Sequence, residues 1–127
     1  MRSSAFPAIV LFAHGSRDPQ WAQPFRSIQR LVRAKAPAAA VELAFLENMK
    51  PPLRDVVAAL VAAGHLRIVV APLFMAQGGH LRTDLPNMLG ALRADYPGVA
   101  IDVLPAIGDV EPLLEAISQW LVGAVVR

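Results

Sequence analysis

The chain has 127 residues, 55% of them hydrophobic, with a formal net charge of +2 and no cysteine. That length suits one compact domain, residues 1–127, burying roughly two thirds of its unfolded surface, and the lack of cysteine excludes disulfides, thiolate metal sites and cysteine nucleophiles, leaving imidazole and oxygen as metal ligands. No apolar run approaches the ~20 residues of a membrane span, no basic run or aromatic ladder marks a nucleic-acid surface, and Met1 to Pro7 lacks the segments of a secretory signal, so a cytoplasmic protein with neither membrane nor nucleic acid as partner is expected.

Ala8 to Ala13 (AIVLFA) is a short apolar run bounded by Pro7 and Gly15, which predicts a buried strand. From Trp21 to Lys35 the residues Trp21, Phe25, Ile28 and Val32 recur at helical spacing with arginines on the other faces, predicting an amphipathic helix. Val41 to Leu46 reads as a second strand, and Pro52 to Ala63 as a second helix stopped by Gly64. Arg67 to Phe74 (RIVVAPLF) reads as a third strand. After the polar, glycine-containing segment Met75 to Thr83, Asp84 is suited to cap a third helix with Pro86 in its first turn, ending before Pro97. Ala100 to Leu104 follows as a fourth strand. Glu111 to about Val122 is a last helix presenting Leu113, Leu114, Ile117, Trp120 and Leu121.

Strands alternating with helices imply an α/β fold: a four-stranded parallel sheet with right-handed crossovers and helices on both faces. In such sheets ligands bind beyond the carboxyl ends of the strands, where neighbouring connections leave in opposite directions. With strand order 2-1-3-4 that point lies between strands one and three.

His14 follows strand one at this edge, in the run His14-Gly15-Ser16-Arg17-Asp18-Pro19, and His80 closes the loop after strand three. Glu47 follows strand two, so three loops contribute His, Glu and His to one rim. Each has an ordinary reading when taken singly: a hydrogen-bonded loop histidine, or a solvated glutamate. Their convergence is what points to chemistry. His65, directly after Gly64, reads as a helix-end surface residue. Gly78 and Gly79 fit an ordinary turn, or a place where the backbone must approach a flat ligand without a Cβ in the way. Arg17 and Arg82 flank the histidines and read either as solvated loop arginines or as bidentate partners for carboxylates. Met75 is either core or a contact for an apolar ligand. No phosphate-binding or dinucleotide-binding glycine pattern is present.

The segments LFAHGSRDP at 11–19, FLENMKPPL at 45–53, IVVAPLFMAQGGHLRTDLP at 68–86 and LPAIGDVEPLLEAI at 104–117 resemble the small CbiX-type sirohydrochlorin chelatases, nearly end to end. The resemblance implies a chelatase-like α/β fold, a single half of the longer two-lobed relatives. It implies insertion of Co2+, or in relatives Ni2+ or Fe2+, into sirohydrochlorin without nucleotide hydrolysis, within cobalamin and tetrapyrrole biosynthesis. No cofactor would be permanently bound; the divalent metal is a substrate. By the same resemblance the chain forms a homodimer with the cleft between protomers. His14 is then metal ligand and proton acceptor, and His80 metal ligand. The stretch Met75, Ala76, Gln77, Gly78, Gly79 lies against the substrate, and Lys50 is a further substrate contact where relatives often carry an acid.

Metal insertion needs an ion that sheds water and a base for the pyrrole N–H protons. Neutral imidazole binds Co2+, Ni2+ and Fe2+ well without trapping them, and it exchanges protons near neutral pH. Glu47 is suited to relay a proton or balance the metal charge. An iron or nickel chelatase, or a carrier that holds metal or tetrapyrrole without converting it, uses the same residues. A histidine phosphatase reading fits less well, because Ala13 stands where an arginine precedes the histidine in those enzymes.

Overall fold

The computed structural model describes residues 6–126; the reading of the N-terminal segment falls mostly outside them. Four parallel strands, β1 (Ala8–Ala13), β2 (Val41–Phe45), β3 (Arg67–Pro72) and β4 (Ala100–Val103), form one sheet in the order β2-β1-β3-β4. The helices are α1 (Gln23–Lys35), α2 (Leu53–Ala62), α3 (Gly79–Asp95) and α4 (Glu111–Val125). A 3-10 turn at Pro19–Ala22 precedes α1 and another at Ile107–Asp109 precedes α4.

The sheet separates two apolar layers. Register pairs Ala8 with Ile68, Val10 with Val70 and Phe12 with Pro72, and because side chains alternate along a strand these residues share one face. They pack with Val57 and Leu60 of α2 and Leu81, Leu85, Leu89 and Leu92 of α3. Leu11, Ala13, Val41, Leu43 and Phe45 point the other way, against Phe25, Ile28 and Val32 of α1. Each large side chain so buried is worth about 1.5–3 kcal/mol. No polar or charged residue is buried among the described residues.

Two expectations need correction, and a third element is placed unusually. The Trp21 register belongs partly to the 3-10 turn, where the Asp18 carboxylate accepts from the Gln20 N–H and sets the turn before α1 begins at Gln23. Helix α3 starts at Gly79 and not after an Asp84 cap, so Pro86 lies in its interior. Pro86 forfeits a backbone hydrogen bond there, but Leu81 extends the buried stripe of Leu85, Leu89 and Leu92 one turn earlier, and that apolar contact draws Gly79 to Thr83 into the helix. Helix α4 forms as expected but buries none of its residues, leaving Leu113, Ile117, Trp120 and Leu121 exposed. No helix of the described residues is long and apolar enough to cross a membrane.

Candidate functional site

The β1–β2 ladder runs past the strand ends, and this extension builds the site. Leu46 N–H donates to the Ala13 carbonyl at 2.9 Å and Glu47 N–H to the His14 carbonyl at 3.0 Å. Those bonds fix the residues after both strands side by side. Gly15 turns the chain away with φ +98°, and its α-carbon lies directly on the Glu47 carbonyl: a Cβ there would sit 1.8 Å from that oxygen. Only glycine meets both demands. The following turn is held by Ser16 Oγ, which accepts from Asp18 N–H at 3.1 Å.

The consequence is a side-chain pair 33 residues apart in sequence: His14 Nε2 and Glu47 Oε1 are 2.9 Å apart. Both side chains are about half exposed, 52% and 56%, so the pair is open to a ligand. The Phe74 ring stands edge-on to the imidazole, centroids 6.3 Å apart and planes at 81°, and is itself edge-on to the buried Phe12 at 5.7 Å. One side of His14 is thereby fixed by the core while the other faces solvent.

His80 does not join this pair. It is exposed in the first turn of α3, and among the described residues no three His, Cys, Asp or Glu side chains are grouped closely enough to hold a metal ion. The physical reason is the early start of α3, which carries His80 on a helix and not at the end of a free loop. Arg17 and Lys50 are exposed on the turns after β1 and β2, in no ion pair among the described residues. Met75, 57% exposed, and Ala76 lie in the loop after β3. Gly78 and Gly79 carry neither a positive φ nor a crowded α-carbon; a Cβ at either would meet nothing within 4 Å. The chain itself gives no reason for glycine at these two positions.

A groove of about 320 Å3 opens beside this loop, lined in part by Gln77, Arg82, Leu85, Leu89, Arg93 and Leu104. Its lining is more apolar than polar and includes Arg82, Arg93, whose Nε donates to the Ile101 carbonyl at 2.8 Å, and Asp109, so Arg82 is the cation it offers to an apolar group carrying a carboxylate. His65 is half-buried after α2, away from these residues in the fold.

Sequence reasoning did not single out Gly15, Phe74 or Gly108. Gly108 N–H donates to the Phe74 carbonyl at 3.0 Å, and a Cβ on Gly108 would lie 1.6 Å from the Met75 carbonyl oxygen. It pins the start of the loop after β3. The signals existed, a glycine next to His14, an aromatic ending an apolar strand and a lone glycine after strand four, but none names its distant partner.

Comparison with known proteins gives the same assignment. The family described as CbiX matches residues 8–123. A sirohydrochlorin cobaltochelatase of Methanopyrus kandleri is 37% identical over 83 residues, 65% of this chain and 58% of that relative. Another from Saccharolobus islandicus is 33% identical over 121 residues, 92% of this chain and 91% of its own length. Among solved structures, a cobalamin (vitamin B12) biosynthesis CbiX protein from Marinobacter aquaeolei superposes with TM-score 0.82 at 31% identity, covering 94% of this chain and 98% of the other. The sirohydrochlorin chelatase SirB from Bacillus subtilis subspecies spizizenii, in complex with cobalt, gives TM-score 0.76 at 27% identity, with 91% of this chain matching 49% of that one. With a family match over nearly all its length, this chain belongs to the CbiX family.

Proposed function

We propose that this protein inserts a divalent metal ion, Co2+ before Ni2+ or Fe2+, into sirohydrochlorin, releasing two protons and hydrolysing no nucleotide. The observation that carries this reading is the half-exposed His14–Glu47 pair at the carboxyl edge of the sheet. Two metal bonds of about 2.1 Å at right angles place their donor atoms roughly 3 Å apart, so Nε2 and Oε1, at 2.9 Å, already have the spacing of one edge of an ion's coordination shell. Two donors leave the remaining positions for water and then for ring nitrogens. An ion held by more protein ligands would be harder to release.

His14 then accepts a pyrrole proton as the ion leaves it, and Glu47 passes charge and proton outward. His80, on the first turn of α3, is the second imidazole of this reading. One face of the macrocycle rests on Met75, Ala76, Gln77, Gly78 and Gly79, where open space over both glycines supports a flat ligand. The groove beside the loop, at the low end of the ~300–1,000 Å3 of small-molecule sites, takes an edge of the ring, while Arg17, Arg82 and Lys50 hold peripheral carboxylates. The working unit is a cytoplasmic homodimer with the cleft between protomers. The match to one half of SirB supports that arrangement.

The test is anaerobic absorbance of the protein mixed with sirohydrochlorin and, separately, Co2+, Ni2+ or Fe2+, with His14→Ala and His80→Ala alongside and spontaneous insertion subtracted. Conversion faster than background and lost in the variants is expected. A bound but unconverted spectrum would overturn the enzyme in favour of a carrier.

A further inference from the structure

Glu47 enters the site from a turn that reverses the chain over a single residue. Met49 N–H donates to the Glu47 carbonyl at 2.8 Å, closing a three-residue turn with Asn48 at its centre. Asn48 has φ +62°, and among the described residues it alone, glycines aside, has a positive φ. Glycine adopts that sign of φ freely, whereas a Cβ crowds the backbone there. Three-residue turns built on a positive φ are rare for this reason.

Such a conformation persists where the surroundings impose it, and they act on both sides of Asn48. Before it, Leu46 N–H and Glu47 N–H are tied to the Ala13 and His14 carbonyls. After it, Met49 packs into the apolar cluster against α1, and the Pro51 carbonyl accepts from the Phe45 N–H at 2.9 Å. The chain must leave the β1–β2 ladder at Glu47 and be back beside the end of β2 by Pro51, so the reversal falls on Asn48.

The same reversal fixes Glu47. Its N–H is held by His14, and its carbonyl accepts from Met49 while lying on the bare α-carbon of Gly15. Both peptide groups beside its α-carbon are thereby anchored, which leaves only the torsions of the side chain. From this base Oε1 reaches His14 Nε2 at 2.9 Å. The Glu47 side chain is 56% exposed, and on a slack loop an exposed glutamate would spread over several rotamers.

We propose that Asn48 is a positioning residue, whose left-handed backbone, and not its exposed amide, aims the Glu47 carboxylate at His14. Its effect on rate rests on the metal-insertion reading above. The aim of Glu47 itself is measurable with neither metal nor tetrapyrrole present.

The chain has three histidines, so the ring-nitrogen resonances are few, and those of His14 are assigned by their loss in His14→Ala. At a fixed pH of about 8, where histidine is ordinarily neutral, Asn48→Gly is expected to keep the wild-type His14 shifts. Asn48→Val is expected to move them to where Glu47→Gln puts them, with Asn48→Ala between the two. With sirohydrochlorin and Co2+, Asn48→Gly is expected to keep the wild-type kcat. Asn48→Val should lose about 10–100-fold in kcat, as Glu47→Gln does, with KM for the tetrapyrrole unchanged. In a chain already carrying Glu47→Gln it should cost nothing further, because the two changes act through one contact.

The alanine chain stands in for the valine chain if the latter does not fold. The proposal is overturned if both keep the wild-type His14 shifts, if the glycine chain loses them, or if the valine change slows the Glu47→Gln chain as much as it slows the wild type. Wild-type protein that converts no sirohydrochlorin overturns the chelatase reading alone, and the ring shifts then still decide what aims Glu47.

Discussion

Gly15 lies so close to Glu47 that a methyl group on its α-carbon would stand 1.8 Å from the Glu47 carbonyl oxygen. Its φ of +98° is a second constraint at the same residue. Gly15→Ala must therefore accept a left-handed conformation, costing about 1–2 kcal/mol, and push two hydrogen-bonded loops apart. The thermal midpoint is expected to fall by roughly 5–10 °C and metal insertion to fall with it. Gly90→Ala, inside α3 where a Cβ meets nothing within 4 Å, is the control, and its midpoint is expected to hold or rise slightly. Equal midpoints in both variants would show that the two loops separate freely.

The His14–Glu47 pair is half exposed, so its contribution to stability is at most about 1 kcal/mol. His14→Ala and Glu47→Gln are expected to keep nearly the wild-type midpoint yet lose activity. The loss is larger for His14→Ala, about 10²–10⁴-fold in kcat as for a removed general base, and about 10–100-fold for Glu47→Gln, which keeps the shape but not the charge beside the ligand. Steady-state insertion rates check the order; wild-type turnover by His14→Ala removes the histidine from the mechanism.

Gly78 and Gly79 cap and open α3 at φ values any residue adopts, with free space above them. In α3 the change Gly79→Ala should raise stability by roughly 0.5–1 kcal/mol. Affinity for sirohydrochlorin is expected to fall at least about tenfold, about 1.4 kcal/mol, because the new methyl occupies the ligand's place. Fluorescence titration measures it. A variant both more stable and fully able to bind would mean that the macrocycle does not rest on this turn.

Arg82 lines the groove beside the loop, and Arg17 is exposed on the turn after β1. Charge-assisted contacts to substrate carboxylates weaken as salt shortens the Debye length. Arg82→Gln is expected to raise KM severalfold with little change in kcat, and to flatten the dependence of KM on salt between about 0.05 and 0.3 M. A KM that rises with salt as steeply as in the wild type would place the carboxylates elsewhere.

The sequence by itself determined the strands and most of each helix, because apolar period and the stops at Gly and Pro are local steric facts: Ala8–Ala13 is bounded as expected, and the parallel sheet follows from the alternation of elements, while its order β2-β1-β3-β4 is the common one for such sheets and not a consequence of the alternation. It also named the rim residues His14 and Glu47, through motifs that place them after strands one and two. Their contact was not legible, since it joins residues 33 positions apart and depends on register between β1 and β2 and on the Gly15 backbone reaching Glu47. The start of α3 was decided by Leu81 finding the core, which outweighs the local signal of Asp84 and Pro86. The same limit explains α4. Its apolar stripe is written in the sequence, but whether a stripe is buried depends on which surface lies opposite, and that is a property of the assembled sheet.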